Sequence, residues 1–387
     1  MAKPKDIRAL IDLTKTTQTL LTHYQSSLAP SKDNTSSASQ TSETELPNPL
    51  DAIKATTTLL KSHTTTLSLL LITPPLTPSA IIAKISDVSS GVLGGMVAAA
   101  SYTPKAGQKD DVGNTMRTEL RAQVRRLLGT WGDVLALLLR MAERRQTAQG
   151  DGAVKAKDNG PTETEKQDVL SATGVLWEAC DVLLKLCADG VVGLVVKKAE
   201  QFRAVLLDAV EELKEWGEDI DDDDDDKAEG SDGDDEDDGF GDEDDIFGAS
   251  NKLGKDDTEL KELLDTSVKK LRKVGMLYQA LIKRRLKTFP RASAEATTAT
   301  TNGTAGAASS PSKTLDDLIA LLKTIPETVD DLASAFYDLD EDEAKQTLAK
   351  CCTEAKSAVK LVRQNWSGAD DEFTVWTGKW VDALDAV

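Results

Sequence analysis

The segment LSATGVLWEACDVLLKLC, residues 170–187, carries apolar or small side chains at Leu170, Thr173, Trp177, Cys180, Leu184 and Cys187, in steps that alternate between three and four. That is the period of one face of an α-helix, and no β-strand reading accommodates it. The same spacing of three and four recurs on both sides, though not always in strict alternation. It runs through 7, 10, 14, 17, 21, 24 and 28, then through 53, 57, 60, 64, 67 and 71, and again through 116, 120, 124, 127, 131, 135 and 138. Further on it occupies 195, 199, 202, 206, 209, 213 and 216, and then 260, 264, 268, 271, 274, 277 and 281. No pair of strand-like runs with turn chemistry between them occurs, so the fold class is all-α, built as two antiparallel helical bundles with long disordered insertions.

The insertions are set by composition. Between Glu218 and Asp245 stand 19 acidic residues against the single base Lys227, a balance of −18 in a chain of net charge −20. Such a run repels itself and offers little apolar surface against an ordering entropy of about 1–2 kcal/mol per residue, so disorder is expected over 219–255. Polar, small-residue composition predicts the same for 29–48, 150–162 and 291–312. The expected domains are then a bundle over 1–149, a linker over 150–162 and a second bundle over 163–387. Within the second, Pro326 should halt one short helix and kink the chain before Val329. The stripe reasoning makes Trp177 and Trp216 core residues, and it ends a helix of residues 348–366 at Trp366. Asp370 or Asp371 is placed to cap the last helix, whose Phe373, Trp376 and Trp380 share a face.

The chemistry of catalysis is hard to find. The four cysteines, Cys180, Cys187, Cys351 and Cys352, form no CxxC pair and read as reduced core thiols. His23 and His63 stand apart from them, so no metal site, catalytic residue or cofactor site is assigned. Nucleotide-binding and hydrolase signatures are absent. Asp234 to Asp245 imitates a calcium loop but places Glu third, Asp at the position of the bidentate Glu, and no helices at its flanks. The uncharged stretches 62–83 and 88–104 contain prolines, threonines and paired glycines that suit a core helix better than a membrane span, and no apolar leader precedes Leu13. Two charged features remain. Ser231, followed by Asp232 and Asp234, is a candidate acid-directed phosphorylation site. Lys283, Arg284, Arg285 and Lys287 form a candidate basic patch. Without interleaved aromatics the patch reads as a solvated face neutralised by the acidic loop, which makes nucleic acid an unfavoured partner.

Several strings resemble the cyclin-D-binding, or GCIP, family. HTTTLSLLLITPPLTPS at 63–79 is similar to that family's threonine-rich helix and proline turn, and includes Thr65, Thr66 and Pro75. GVLWEAC at 174–180, with Trp177 and Cys180, and VDDLASAFY at 329–337, with Asp330, Asp331, Leu332 and Tyr337, resemble two further segments, and an acidic stretch lies between them. The resemblance implies a non-enzymatic, two-bundle protein of cytoplasm and nucleus, without cofactor, that binds cyclin or helix-loop-helix regulators of transcription and restrains the cell cycle. The alternative is an acidic chaperone for histones or other basic proteins acting through 218–245.

Overall fold

The computed structural model describes residues 4–30, 48–104, 108, 110–150, 160–218, 253–254, 257–290 and 310–386. Among them no strand forms. The helices are α1 (Pro4–Ser27), α2 (Pro49–Ile72), α3 (Pro78–Asp87), α4 (Leu93–Ala100), α5 (Gly113–Gly150), α6 (Glu163–Glu218), α7 (Thr258–Arg284), α8 (Pro311–Tyr337), α9 (Glu341–Leu361) and α10 (Glu372–Asp385). A single π turn, Val88–Val92, joins α3 to α4. Most of 29–48, 150–162, 219–255 and 291–312 lies outside the described residues, as do Ser231 and the calcium-loop imitation. The edges of those stretches are ordered. Leu253 is fully buried, Pro161 is buried, and Ser310 caps α8 by accepting from the Lys313 N–H at 3.3 Å.

The chain divides into two compact units, 1–193 and 194–387. The division falls past the expected 150–162 boundary, inside α6. Gly190 breaks that helix with φ 66° and ψ −167°, a backbone region open essentially to glycine alone. A Cβ on Gly193 would lie 2.5 Å from the Asp189 Cβ, so the chain needs a second glycine there. The stretch 163–189, expected to open the second bundle, therefore packs in the first unit. The ion pair of Lys61 with Asp181 at 2.5 Å ties it to α2, and a Cβ on Gly160 would approach the Pro74 Cβ to 2.9 Å.

In the first unit α1 packs on α5 and α3, and α2 packs on α4. The stripes read from α2 and α5 are buried at every position, Ile53 to Leu71 and Met116 to Leu138. Their threonines are no obstacle, because each buried hydroxyl turns back on its own helix. Thr14 donates to the Leu10 carbonyl, Thr57 to Ile53, Thr64 to Leu60 and Thr173 to Val169, all at 2.6–2.7 Å. Gly94 and Gly95 receive neighbours closely. Their Cβ positions stand 3.6 Å from the Tyr24 hydroxyl and 3.4 Å from the Thr56 methyl. The run Pro78–Ala100 is long and apolar enough to cross a membrane. Its large side chains, Ile81, Ile85, Val88, Leu93 and Met96, are fully buried in the unit, however, and its outer face carries Ala83, Ser86, Asp87, Ser90 and Gly91. That is the profile of a core helix.

α6 departs from the stripe expected of residues 170–187. The buried positions of its first half are Val169, Thr173, Leu176, Ala179, Cys180 and Leu183, while Leu170 is 54% exposed and Trp177 half-buried. The inward face is rotated by about one residue because both candidate faces are apolar, and side-chain type alone does not choose between them. Trp216 is also half-buried, resting edge-on against Tyr337 at 5.4 Å.

In the second unit α8 pairs with α9, and α7 lies against α9 and α10. Contrary to expectation, Pro326 does not halt its helix; α8 runs unbroken through it. Proline lacks the N–H that the Leu322 carbonyl would accept. The buried Tyr278 hydroxyl donates to that carbonyl instead, at 2.6 Å, so no buried acceptor is orphaned. Burial pushes the Tyr278 phenol well above its ordinary value and keeps it a donor. Trp366 is also misplaced by the stripe, since α9 ends at Leu361 and Trp366 sits in the following loop against Phe289, 4.7 Å away.

The basic patch is likewise corrected. Arg285 is 1% exposed. Its Nε donates to the Val362 carbonyl at 2.7 Å and its Nη2 to the Arg363 carbonyl at 2.6 Å. Nη1 and Nη2 grip both oxygens of Asp371, at 2.5 and 2.7 Å, and the guanidinium lies 4.3 Å from the centre of the Phe373 ring. Asp371 at the same time caps α10, accepting from the Phe373 and Thr374 N–H groups. Lys283, Arg284 and Lys287 stay exposed. Arg285 faces the other way because it continues the buried α7 stripe through Tyr278, Leu281 and Ile282.

Two outcomes are expected. Tyr278→Phe should cost about 1–3 kcal/mol by leaving the Leu322 carbonyl unpaired. In a Pro326→Ala background, where residue 326 supplies its own N–H, the cost should shrink; equal urea-midpoint losses in both backgrounds would show the two groups to be uncoupled. The second concerns acid. The Arg285 hydrogen bond, helped by the Thr374 N–H, holds the Asp371 carboxyl far below the ordinary value of 3.8. A depressed carboxyl contributes stability that is complete above its unfolded value and lost as pH falls below it. The gap in melting temperature between the parent and Asp371→Asn should therefore be constant from neutral pH to about 4 and narrow below that. A gap that widens on acidification would reverse the assignment.

Candidate functional site

The residues that carried the resemblance fall on two surfaces, one in each unit. In the first unit the ion pair of Lys61 with Asp181 and the approach of Pro74 to Gly160 make α2 and residues 163–189 antiparallel neighbours. Between those two anchors Leu69 falls opposite residues 165–173. Thr65 is half-buried at the seam, its hydroxyl donating to the Lys61 carbonyl at 2.8 Å, and Thr66 is exposed. Pro75 is exposed in the turn after α2, following a cis peptide bond. Trp177 flanks the seam, and its indole N–H is buried without a protein acceptor. Cys180 is fully buried, and burial pushes its thiol up to about 12.

Between Leu59 and Leu69 the outer face of α2 carries no charge, while the facing helix exposes Glu178, Asp181 and Lys185. Leu59 is 51% exposed and Leu69 57%, with Ser62 and Thr66 between them at steps of three and four along α2. On the facing helix Leu170 is exposed and Gly174 has open space where a Cβ would stand. Full burial of a leucine stabilises by about 1.5–3 kcal/mol, so exposed leucines at helical spacing beside a glycine gap make a surface suited to another helix. Sequence reasoning missed this face, since it counted Leu170 inside. Its signal was present in the surplus of apolar positions around 170–176, more than one inward stripe can use.

In the second unit Leu332 and Phe336 are buried, and Tyr337 packs on Trp216. Asp330 and Asp331 point outward, and Asp331 stands 3.7 Å from Lys350. Desolvation, followed by the charges of Asp331 and Glu327, raises the Asp330 carboxyl. A cleft of about 710 Å³ is lined by Pro311, Thr314, Lys360, Arg363, Trp366 and Asp370, and a groove of about 740 Å³ between α8 and α9 by Ala320, Leu321, Thr324, Ser357 and Leu361. Phe289, against Trp366, and Pro311 mark the two ends of 291–309, which lies outside the described residues, so the cleft is where that segment is rooted. The chemistry on both surfaces is that of packing. Cys187 is pushed up to about 11 and the Cys351 thiol higher still, both first by burial, which leaves them poor nucleophiles. Among the described residues no group of three or more His, Cys, Asp or Glu side chains is arranged to hold a metal ion.

A Schizosaccharomyces pombe protein described as uncharacterized protein C22E12.18 is 23% identical over 342 residues, covering 88% of this chain and 85% of its own length. Residues 52–219, which include α2 from Ala52 onward, the seam and its exposed leucines, match the family described as Grap2 and cyclin-D-interacting, N-terminal. That match supports a GCIP-like assignment for this segment of the chain.

Proposed function

We propose that this chain is a non-enzymatic interaction protein of cytoplasm and nucleus that restrains cell-cycle progression by binding a cyclin or a helix-loop-helix transcription regulator. The family match over 52–219 carries the reading. The face of Leu59, Leu69 and Leu170 adds a means, since helix-loop-helix regulators and cyclins are helical and an amphipathic helix can lay its apolar side along such a seam. The alternative partner, a histone or other basic protein, is supported by the −18 balance of 218–245.

The test is titration of the full chain, its Leu69→Glu/Leu170→Glu variant and a chain lacking 219–255 with a purified D-type cyclin, a helix-loop-helix regulator and core histones. The two charges should weaken cyclin or regulator binding by about tenfold or more, as expected for centrally placed contacts, at unchanged melting temperature. Failure of both regulators to bind the full chain would sink the proposal. Histone capture that vanishes only with the deletion would install the alternative.

A further inference from the structure

The exposed side of α7 is a ladder with a strict alternation of steps: Glu262, Asp265, Lys269, Arg272, Met276, Gln279 and Lys283. From Lys269 onward it is basic, and Arg284 at the end of α7 and Lys287 beyond it extend it. Its neutralisation from within the unit is slight. Arg272 reaches Glu211 only at 3.9 Å and Arg284 reaches Glu372 only at 4.0 Å, and both pairs face solvent, where such contacts contribute little. Lys269, Lys283 and Lys287 have no ion pair among the described residues. In the middle of this charge Met276 leaves 59% of its surface to water.

The sequence that enters α7 has the complementary pattern. Asp234 to Asp238 and Asp242 to Asp245 are two blocks of acids without a base, and Phe240 stands between them. Both ends of 219–252 are rooted at the start of α7. A Cβ on Gly217 would touch the Leu264 side chain at 2.1 Å, and Leu253 is fully buried five residues before Thr258. The spacings agree as well. The centres of the two acidic blocks are about 25 Å apart in an extended chain at about 3.3 Å per residue. The centres of 269–273 and 283–287 are about 21 Å apart at about 1.5 Å per residue of helix. Running back from Leu253, the chain reaches Asp238 in about 50 Å of contour, against about 43 Å from Thr258 to Lys287.

We propose that residues 234–247 dock on this ladder, with Asp242–Asp245 over Lys269 to Lys273, Phe240 on Met276, and Asp234–Asp238 over Lys283 to Lys287. The tether holds the two at millimolar-scale effective concentration, so individually weak pairs suffice. The contact depends on ionic strength, since the screening length falls from about 30 Å at 0.01 M to about 3 Å at 1 M. While docked, the acidic segment is withheld from basic partners and the ladder from anionic ones.

The experiment uses the full chain with Cys187→Ser, the remaining thiols being buried. Phe240→Cys is paired with Met276→Cys, or as a control with Lys350→Cys on α9, and a short bismaleimide is added. At about 0.01 M salt the 240–276 pair should cross-link within one chain several-fold more than the control, and at about 1 M the two should converge. Lys269→Glu/Lys283→Glu should abolish the excess without lowering the melting temperature. Equal yields for the two pairs at low salt, an excess that survives the charge reversal, or 240–276 links found only between two chains would each overturn the proposal.

Discussion

The second unit takes one charge inside, among the described residues, and the way that charge is satisfied fixes the loop and helix around it. Arg285 spends its guanidinium on two consecutive loop carbonyls, Val362 and Arg363, and on both oxygens of Asp371. Its own carbonyl accepts from the Trp366 indole at 2.9 Å. The end of α7, the loop after α9 and the first turn of α10 are thereby held by one planar group. A lysine carries the same charge but lacks the rigid fork, and it could not serve two carbonyls and a carboxylate in one plane. Asp371 has two tasks that agree: the geometry that lets it grip Arg285 also aims an oxygen at the free N–H groups of α10.

The same constraint, that a buried polar group must have a partner, is met differently elsewhere. In the first unit it is met mostly locally, by threonine hydroxyls bonded four residues back on their own helices, although Thr17 also reaches Ser89 at 3.4 Å and the indole N–H groups of Trp131 and Trp177 have no protein acceptor. In the second it is met across helices, where Tyr278 replaces the donor that Pro326 removed. These two solutions have different consequences for change. A threonine that satisfies itself can be replaced by an apolar side chain of similar size with little knock-on effect, whereas Tyr278, Pro326, Arg285 and Asp371 are bound to particular partners.

Helices α5 and α7 were legible residue by residue, because each carries charge opposite its apolar stripe and the contrast fixes the phase; the α2 stripe was legible too, against a face of serine, threonines and two leucines. The capping of α10 was legible down to a choice between two aspartates, of which Asp371 serves. Pro326 was misread because propensity prices the missing N–H as a loss, and a tyrosine 48 positions earlier that repairs it leaves no local trace. Arg285 was misread because it sits in the run KRRLK, where composition says surface. Only its position, three and four residues beyond Ile282 and Leu281 on the buried side of the helix, says otherwise.

The error in α6 differs in kind from these. A helix that buries one face needs about three apolar residues in seven, and residues 169–187 offer apolar or sulfur side chains at 169, 170, 175, 176, 177, 180, 182, 183, 184, 186 and 187. Such a surplus satisfies two registers, so the fold alone cannot choose, and whichever register is buried leaves leucines in water. Solvent exposure of Leu170, Leu69 and Leu59 contributes nothing to the stability of the unit. Together, at helical spacing beside the glycine gap at Gly174, they form the face proposed above for partner binding. The ambiguity that misled the periodicity and the face proposed for partner binding are therefore the same property of the sequence.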